Sequence, residues 1–466
     1  MNRHTLHTRT LAAFALAAGT LAIPLAEARV TAEQAAQLGT TLTPLGATRA
    51  GNADGSIPAW TGTLYGLPKG LQWAGPGNPY PDPYGNEKPL FVITAQSAAQ
   101  YADHLTDGQR ALFKAYPDTF RMPVYPSHRD ARFPDIYYQR VARNAVEAEL
   151  VNDDEGIKGY HGALAFPIPQ SGAEVIWSAR TAEPVHVYEG VYNDTTVYPN
   201  GTTANRRSSL YLLNPYADPG VPVSVEYPEL GNYQGYVMTE VFEPTRDKGM
   251  ITSILEPIDY SAYAREVWRY LPGSRRVRRA PTVGYDTPDG PGGLVTIDEV
   301  QGFNGAMDRF SWKLLGKQEI YIPYHAYRFD DPAVSYKELL TPYHVNPDYM
   351  RYELHRVWAV EATLRPGKRH IYGKRRIYVD EDSGQVVVTE NYDGRGELWK
   401  VVLLNTFYEY HSRYTVRRAE VYHDLRAAAY IAMRLVNDGK PFTYNVAKPR
   451  DADYFGPANI RKLGRR

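Results

Sequence analysis

The sequence of 466 residues contains no cysteine. That excludes disulfides, thiolate metal sites, iron–sulfur clusters, a cysteine nucleophile and a lipidated N-terminal cysteine. Net charge is missing as well, because 52 Lys and Arg balance 52 Asp and Glu. A neutral balance gives no global attraction to nucleic acid or to an anionic membrane and leaves only local patches. Beyond residue 28 no long run is free of charged and polar side chains, so no helical membrane span is predicted. Catalytic signatures are absent too. There is no G-x-S-x-G elbow, P-loop or H-E-x-x-H pair, and Gly394-Arg395-Gly396 lacks the third glycine of a phosphate cradle. No catalytic residue, metal ligand or cofactor is therefore assigned, and the chain is not read as an enzyme.

What is present is the composition of a soluble globular protein, with 43% hydrophobic and 22% charged residues. Tyrosine is unusually common, 38 against 13 Phe, and favours half-wet pleated surfaces over a helix bundle. The N-terminus reads as a secretory signal. Arg3 and Arg9 precede the apolar stretch 11–23, and Ala26-Glu27-Ala28 offers a small-x-small cleavage site. The expected product starts near Arg29, exported to a bacterial periplasm.

Four segments are expected: a signal peptide over 1–28, an extended wrapping arm with a short helix over 29–93, a helical segment over 94–151 and a large curved sheet over 152–466. The last three are expected to form one globular unit. Thr31-Ala32-Glu33-Gln34 and Thr106-Asp107-Gly108-Gln109 are capping boxes. Residues 94–116 predict two short helices. Residues 135–151 predict a third, with Tyr138, Val141, Ala142, Ala145 and Val146 on its apolar stripe. Residues 43–90 are rich in Gly, Pro and Asn, yet Trp60, Trp73 and Phe91 favour docking over a free linker.

Strand patterns begin near 155. Windows 233–242, 250–256, 265–271 and 275–280 alternate or end at turn residues, with Pro272-Gly273 as a tight turn. Residues 303–316 predict a short helix. Residues 351–364 predict a long strand, with Tyr352, Leu354, Trp358, Val360, Ala362 and Leu364 on one face and Glu353, His355, Glu361 and Thr363 on the other. Strands that long must twist or bulge, so the sheet wraps on itself. A hairpin follows, turning at Asp382-Ser383-Gly384. Residues 397–422 continue as strand, and 425–436 fit strand or helix. The fold class is mainly β (α+β), a large curved antiparallel sheet with short helices packed on it.

Asp380–Gly384 invites a calcium reading, but Gly384 and Asn391 stand where an EF-hand needs ligands, and a solvated turn is expected. Glu353-x-His355 with the scattered His325, His344, His370, His411 and His423 is read as surface or hydrogen-bonded histidines. Glu361 with Asp380 or Glu390 is read as a salt-bridged face in preference to a glycosidase pair. The sharpest local feature is basic: residues 265–280 hold six Arg and one Glu. Arg275, Arg276, Arg278 and Arg279 would dock lipid headgroups or an acidic partner, pair with sheet carboxylates, or bind nucleic acid. Trp177, Trp268, Tyr270, Trp312, Tyr352, Trp358 and Trp399 serve either packing or the wall of a cavity in a curved sheet.

Several segments resemble family 1329 of the domains of unknown function. They include Ala50-Gly-Asn-Ala-Asp-Gly-Ser-Ile-Pro-Ala-Trp-Thr-Gly62, Tyr116-Pro-Asp-Thr-Phe120, Tyr352-Glu-Leu-His-Arg-Val-Trp358, Tyr378-Val-Asp-Glu-Asp382 and Tyr392-Asp-Gly-Arg-Gly-Glu-Leu-Trp399. The segment from Trp268 to Arg279 is similar to the W-x-Y-x-P hairpin of lipoprotein-sorting proteins of the LolA/LolB type. After Trp177 the chain departs from the family pattern, with Ser-Ala-Arg180 in place of an amide-rich stretch. The resemblance implies an incomplete β-barrel with an apolar interior and helices closing its mouth. It implies periplasmic handling of a lipid or other hydrophobic compound, beside an RND-type inner-membrane exporter and a companion outer-membrane protein. It supplies no catalytic residues. A carrier or accessory protein is thus the leading expectation. The alternatives are an envelope adaptor without cargo and, more remotely, an exported hydrolase. An outer-membrane barrel fits poorly with the helical segments, the charged strands and the basic tail Arg461–Arg466.

Overall fold

The computed structural model describes residues 30–183, 185–280 and 285–465. The expected signal peptide lies outside the described residues.

Local chemistry sets the helices. Thr106 caps Asp107–Ala115, its hydroxyl accepting from the Gln109 N–H while the Gln109 side chain accepts from the Thr106 N–H. Thr31 does the same for Ala32–Ala35. The helix Asp135–Glu147 buries Tyr137, Arg140, Val141, Asn144 and Ala145, which is rotated from the expected stripe. The cause is polar. Asn144 turns inward to donate to the carbonyls of Gly162 and Leu164, Arg140 reaches that of Tyr216, and Val146 is left exposed.

Among the described residues one sixteen-stranded sheet dominates. In spatial order it runs Phe91–Ile93, Met122–Val124, Tyr352–Leu364, Tyr372–Asp380, Val386–Asp393, Leu398–Glu409, Tyr414–Asp424, Ala429–Leu435, Val187–Val197, Thr203–Leu213, Tyr233–Glu243, Ile251–Pro257, Glu266–Leu271 and Arg276–Arg279. Phe310–Pro323 pairs beside Tyr352–Leu364, and Thr443–Tyr444 beside Val187–Val197. Neighbours are antiparallel, except that Tyr352 meets Val124 in parallel, so the sheet is mixed. It does not close into a barrel. Bulges at Leu314/Gly316, Leu404/Thr406 and Ala432/Leu435 bend it.

Two expectations are corrected. Residues 303–316 are not a helix. Only Met307–Arg309 makes a single 3-10 turn, and Phe310–Pro323 is a strand along the whole of Tyr352–Leu364. Pairing with a long neighbour outweighs the weak local periodicity of this stretch. The turn after Asp380 is not solvated either, since Asp380, Glu381 and Ser383 are buried. The arm covers it. Arg129 donates to the carbonyls of Thr48 and Pro58 at 2.7 and 3.0 Å and to both Asp382 oxygens at 2.7 and 2.8 Å, clasping the arm to the hairpin. On the polar face of Tyr352–Leu364, Glu353 and His355 are buried, Glu361 is half-buried and Thr363 is exposed. Glu353 there accepts from Arg351 at 2.6 Å and hydrogen-bonds His325 and His355 at 2.8 and 3.2 Å.

Candidate functional site

The strands between Thr203 and Leu271 present one concave face, and strand pairing sets its rows. Leu210, Thr239, Thr252 and Arg269 form one row. Leu212, Val237, Ile254 and Val267 form the next. Opposite stand the helix Gly172–Thr181 and the loop 297–304. Ser171 caps this helix by accepting from the Glu174 N–H. Gly172 lets the helix press on the edge strand, because a Cβ there would sit 2.8 Å from the Trp312 carbonyl carbon. The loop is pinned from behind. The Gln301 N–H donates to Glu420 at 3.0 Å, and Arg375 donates to the Gly302 carbonyl at 3.1 Å.

Between these walls lies a cavity of about 310 Å3. Its apolar lining includes Ile176, Leu210, Leu212, Val237, Val241, Ile254, Val267, Val300 and Phe303. One set of polar groups lies at the Arg206 pole, and Glu256 with Arg265 forms another beyond the apolar row. Arg206 pairs with Asp194 at 2.9 Å and Asp289 at 3.3 Å. Arg417 lies 3.6 Å from Glu183 and 3.2 Å from Glu420. Burial pushes the Asp194 and Glu183 carboxyls up, against the pull of Arg206 on the first and of Arg417 and Arg434 on the second. At Asp289 burial also acts, but the Arg206 guanidinium overrides it and holds the carboxyl below its usual range. A dry concave wall with a few converging polar groups is the form of a small-molecule site.

Two side-chain groups elsewhere have the composition of metal ligands. His355, Asp380 and Asp382 converge in one, and Glu147, His161 and Glu226 in the other. Cations already serve both. Arg129 holds both oxygens of Asp382, and Arg143 and His161 hold Glu147 at 2.9 and 2.6 Å. We assign no metal to either.

The family described as a protein of unknown function, DUF1329, matches residues 92–461. The chain belongs to this family. An uncharacterized protein of Pseudomonas aeruginosa, PA3922, is 41% identical over 474 residues, spanning 98% of each chain. Among solved structures, a DUF1329 protein of Desulfovibrio piger is 13% identical at a TM-score of 0.42, covering 62% of this chain and 97% of that one. A lipoprotein-sorting protein domain of Vibrio parahaemolyticus is likewise 13% identical at a TM-score of 0.41, covering 63% and 98%.

None of the aromatic residues singled out in the sequence lines the cavity of this DUF1329 chain. Trp177 is fully buried on the far side of its helix, donating to the Asp154 carbonyl at 2.8 Å, while Ile176 and Arg180 face the cavity. Trp268 and Tyr270 lie on the outer face of their strand, where Tyr270 packs on the C-terminal residues Phe455 and Ile460. Trp312 packs on Phe303, and Tyr372 on Trp399, with ring centres 4.9 and 5.6 Å apart. Tyr352 is buried in the core, and Trp358 carries Lys317 over its ring at 4.7 Å. The lining residues Val267 and Arg269 alternate with Trp268 and Tyr270, so a period-two pattern with the opposite face chosen would have found them. Arg276, Arg278 and Arg279 lie exposed on the terminal strand. Arg279 stands 3.9 Å from Glu266, whereas Arg275, Arg276 and Arg278 make no ion pair among the described residues. Glu361 pairs with Arg376 at 3.3 Å, in line with the salt-bridged face expected there, and Glu390 accepts from Tyr392 at 2.9 Å.

Proposed function

We propose that this protein is a periplasmic carrier or accessory protein that shelters a hydrophobic compound in the cavity between its curved sheet and the helix Gly172–Thr181. The cavity carries this reading. It is concave, mainly apolar and roofed by separate elements, and about 310 Å3 is at the small end of ligand pockets, about 300–1,000 Å3. A guest of one chain or one small ring system fits that size. Burying ten methylenes is worth about 8 kcal/mol at ~0.8 kcal/mol each, against association costs of ~4–15 kcal/mol. An apolar body alone therefore sits near break-even, and polar contacts at the pole decide affinity. Gentle purification from the native host without detergent, followed by solvent extraction and mass spectrometry, should release a hydrophobic compound in stoichiometric amount. Only empty protein from that host would count against the proposal.

The arginine edge supports a second role beside the first, docking to an acidic surface of the envelope, such as lipid headgroups or the expected exporter and outer-membrane partners. Among the described residues Arg275, Arg276 and Arg278 pair with no carboxylate. Reversing these three to Glu should abolish sedimentation with anionic vesicles at low salt. Unchanged sedimentation would remove the hairpin from consideration as a contact.

A further inference from the structure

Six arginines line the cavity: Arg180, Arg206, Arg265, Arg269, Arg417 and Arg434. Four are tied down. Arg206 and Arg417 hold carboxylates, as described. Arg265 pairs with Glu256 at 2.7 Å, and Arg180 donates to the Tyr260 hydroxyl at 2.5 Å and to the Gly305 carbonyl. The other two are held more loosely. Arg269 has a single weak contact, Nε to the Thr252 hydroxyl at 3.3 Å, and no carboxylate of the described residues lies within ion-pair distance. Arg434 lies 3.7 Å from Glu420, beyond hydrogen-bonding reach, and its charge also acts on Glu183 and Tyr188.

These two cations belong to one pole. The backbone N–H of Arg434 donates to Asp194 at 3.1 Å, Asp194 accepts from the Arg206 side chain, and Arg206 reaches Asp289, on which the Arg269 charge also acts. Arg434 is set there by a bulge: its φ is +61° and the pairing of its strand shifts between Ala432 and Leu435. Arg269 shares its row with Leu210 and adjoins the apolar row of Leu212 and Ile254. The Arg269 guanidinium, without an ion pair among the described residues and beside an apolar wall, matches a ligand with a charged end and a greasy body, because the fork binds carboxylate or phosphate oxygens in pairs.

We propose that the cavity selects anionic amphiphiles, single-chain or small-ring compounds whose acidic headgroup lies against Arg269 and Arg434 while the apolar body lies along the sheet. This rests on the carrier reading and narrows it to a substrate class.

The test is a titration of the whole mature protein with decanoate, decyl phosphate and methyl decanoate, monitored by calorimetry. Wild type should bind at least one anion about ten- to a hundred-fold tighter than the ester, the worth of one or two charge-assisted hydrogen bonds. Which anion is preferred separates a carboxylate source from a phosphate source. The Arg269→Gln, Arg434→Gln double variant should bring acid and ester affinities together, and Lys at both positions should restore part of the preference. Thermal melts establish that each variant is folded. Equal affinity for anion and ester in wild type would overturn the headgroup proposal and leave the carrier reading standing. Binding of none of the three would overturn both.

Discussion

Arg129 has side-chain exposure of only 1% and binds the carbonyls of Thr48 and Pro58 together with the Asp382 carboxylate, which belong to separate parts of the chain. Removing it leaves Asp382 buried without its bidentate partner and frees the arm at Thr48 and Pro58. Arg129→Ala should cost about 3–5 kcal/mol in urea unfolding, the range for breaking a buried pair by deleting one member. A loss below about 1 kcal/mol would show that the clasp is ornamental to stability. His355 behaves differently. Burial works against its charge, but the carboxylates around it, Asp382 at 3.8 Å, Glu353 at 3.2 Å and the nearby Asp380, raise it to about 9. Its folded pKa thus exceeds the unfolded value, so its stabilisation is full below about pH 6.5 and is lost as pH rises through about 9. The melting temperature of wild type should fall between pH 7 and 10 more steeply than that of His355→Gln. Parallel slopes would contradict the assignment. None of this network was legible in the sequence, where Glu353-x-His355 read as an ordinary strand face. Its partners Arg129, His325 and Asp382 are distant in the chain, and no local pattern foretells which remote segment will cover a strand.

At the scale of elements, the capping boxes at Thr31 and Thr106 were legible, because a helix start is decided by side chains three residues apart. So were the strand windows at 233–242, 265–271 and 351–364. The stretch 303–316 failed for the opposite reason, since its conformation is imposed by thirteen residues of Tyr352–Leu364 beside it. The roofing helix Gly172–Thr181 is seated by a contact that the sequence hides, the approach of Gly172 to the Trp312–Lys313 backbone. Gly172→Ala should destabilise by about 1–3 kcal/mol, as overpacking against rigid backbone does. Gly394→Ala, where the new methyl meets open space, should change the urea midpoint by less than about 0.5 kcal/mol. Comparable midpoints for the two variants would mean the helix is free to lift, and the cavity wall would not be fixed as described.

Across the whole molecule, two sets of strands meet where Ala429–Leu435 pairs with Val187–Val197, and this joint brings Arg417 and Arg434 from the later set to the concave face of the earlier one. The curved sheet was legible from strand length and alternation. The cavity's lining was not, because hydrophobicity marks what is buried without telling the filled side of a strand from the empty one. Trp268 and Tyr270, the more conspicuous residues, pack on the C-terminal segment, and the plainer Val267 and Arg269 meet the open space. The most direct test of the account is saturation of this space by an apolar fluorophore, N-phenyl-1-naphthylamine, in wild type and in Ile254→Trp, a substitution that fills the middle of the apolar row. The account predicts one saturable site in wild type and its loss in the folded variant. No saturable binding in wild type, or binding that Ile254→Trp leaves untouched, would contradict it.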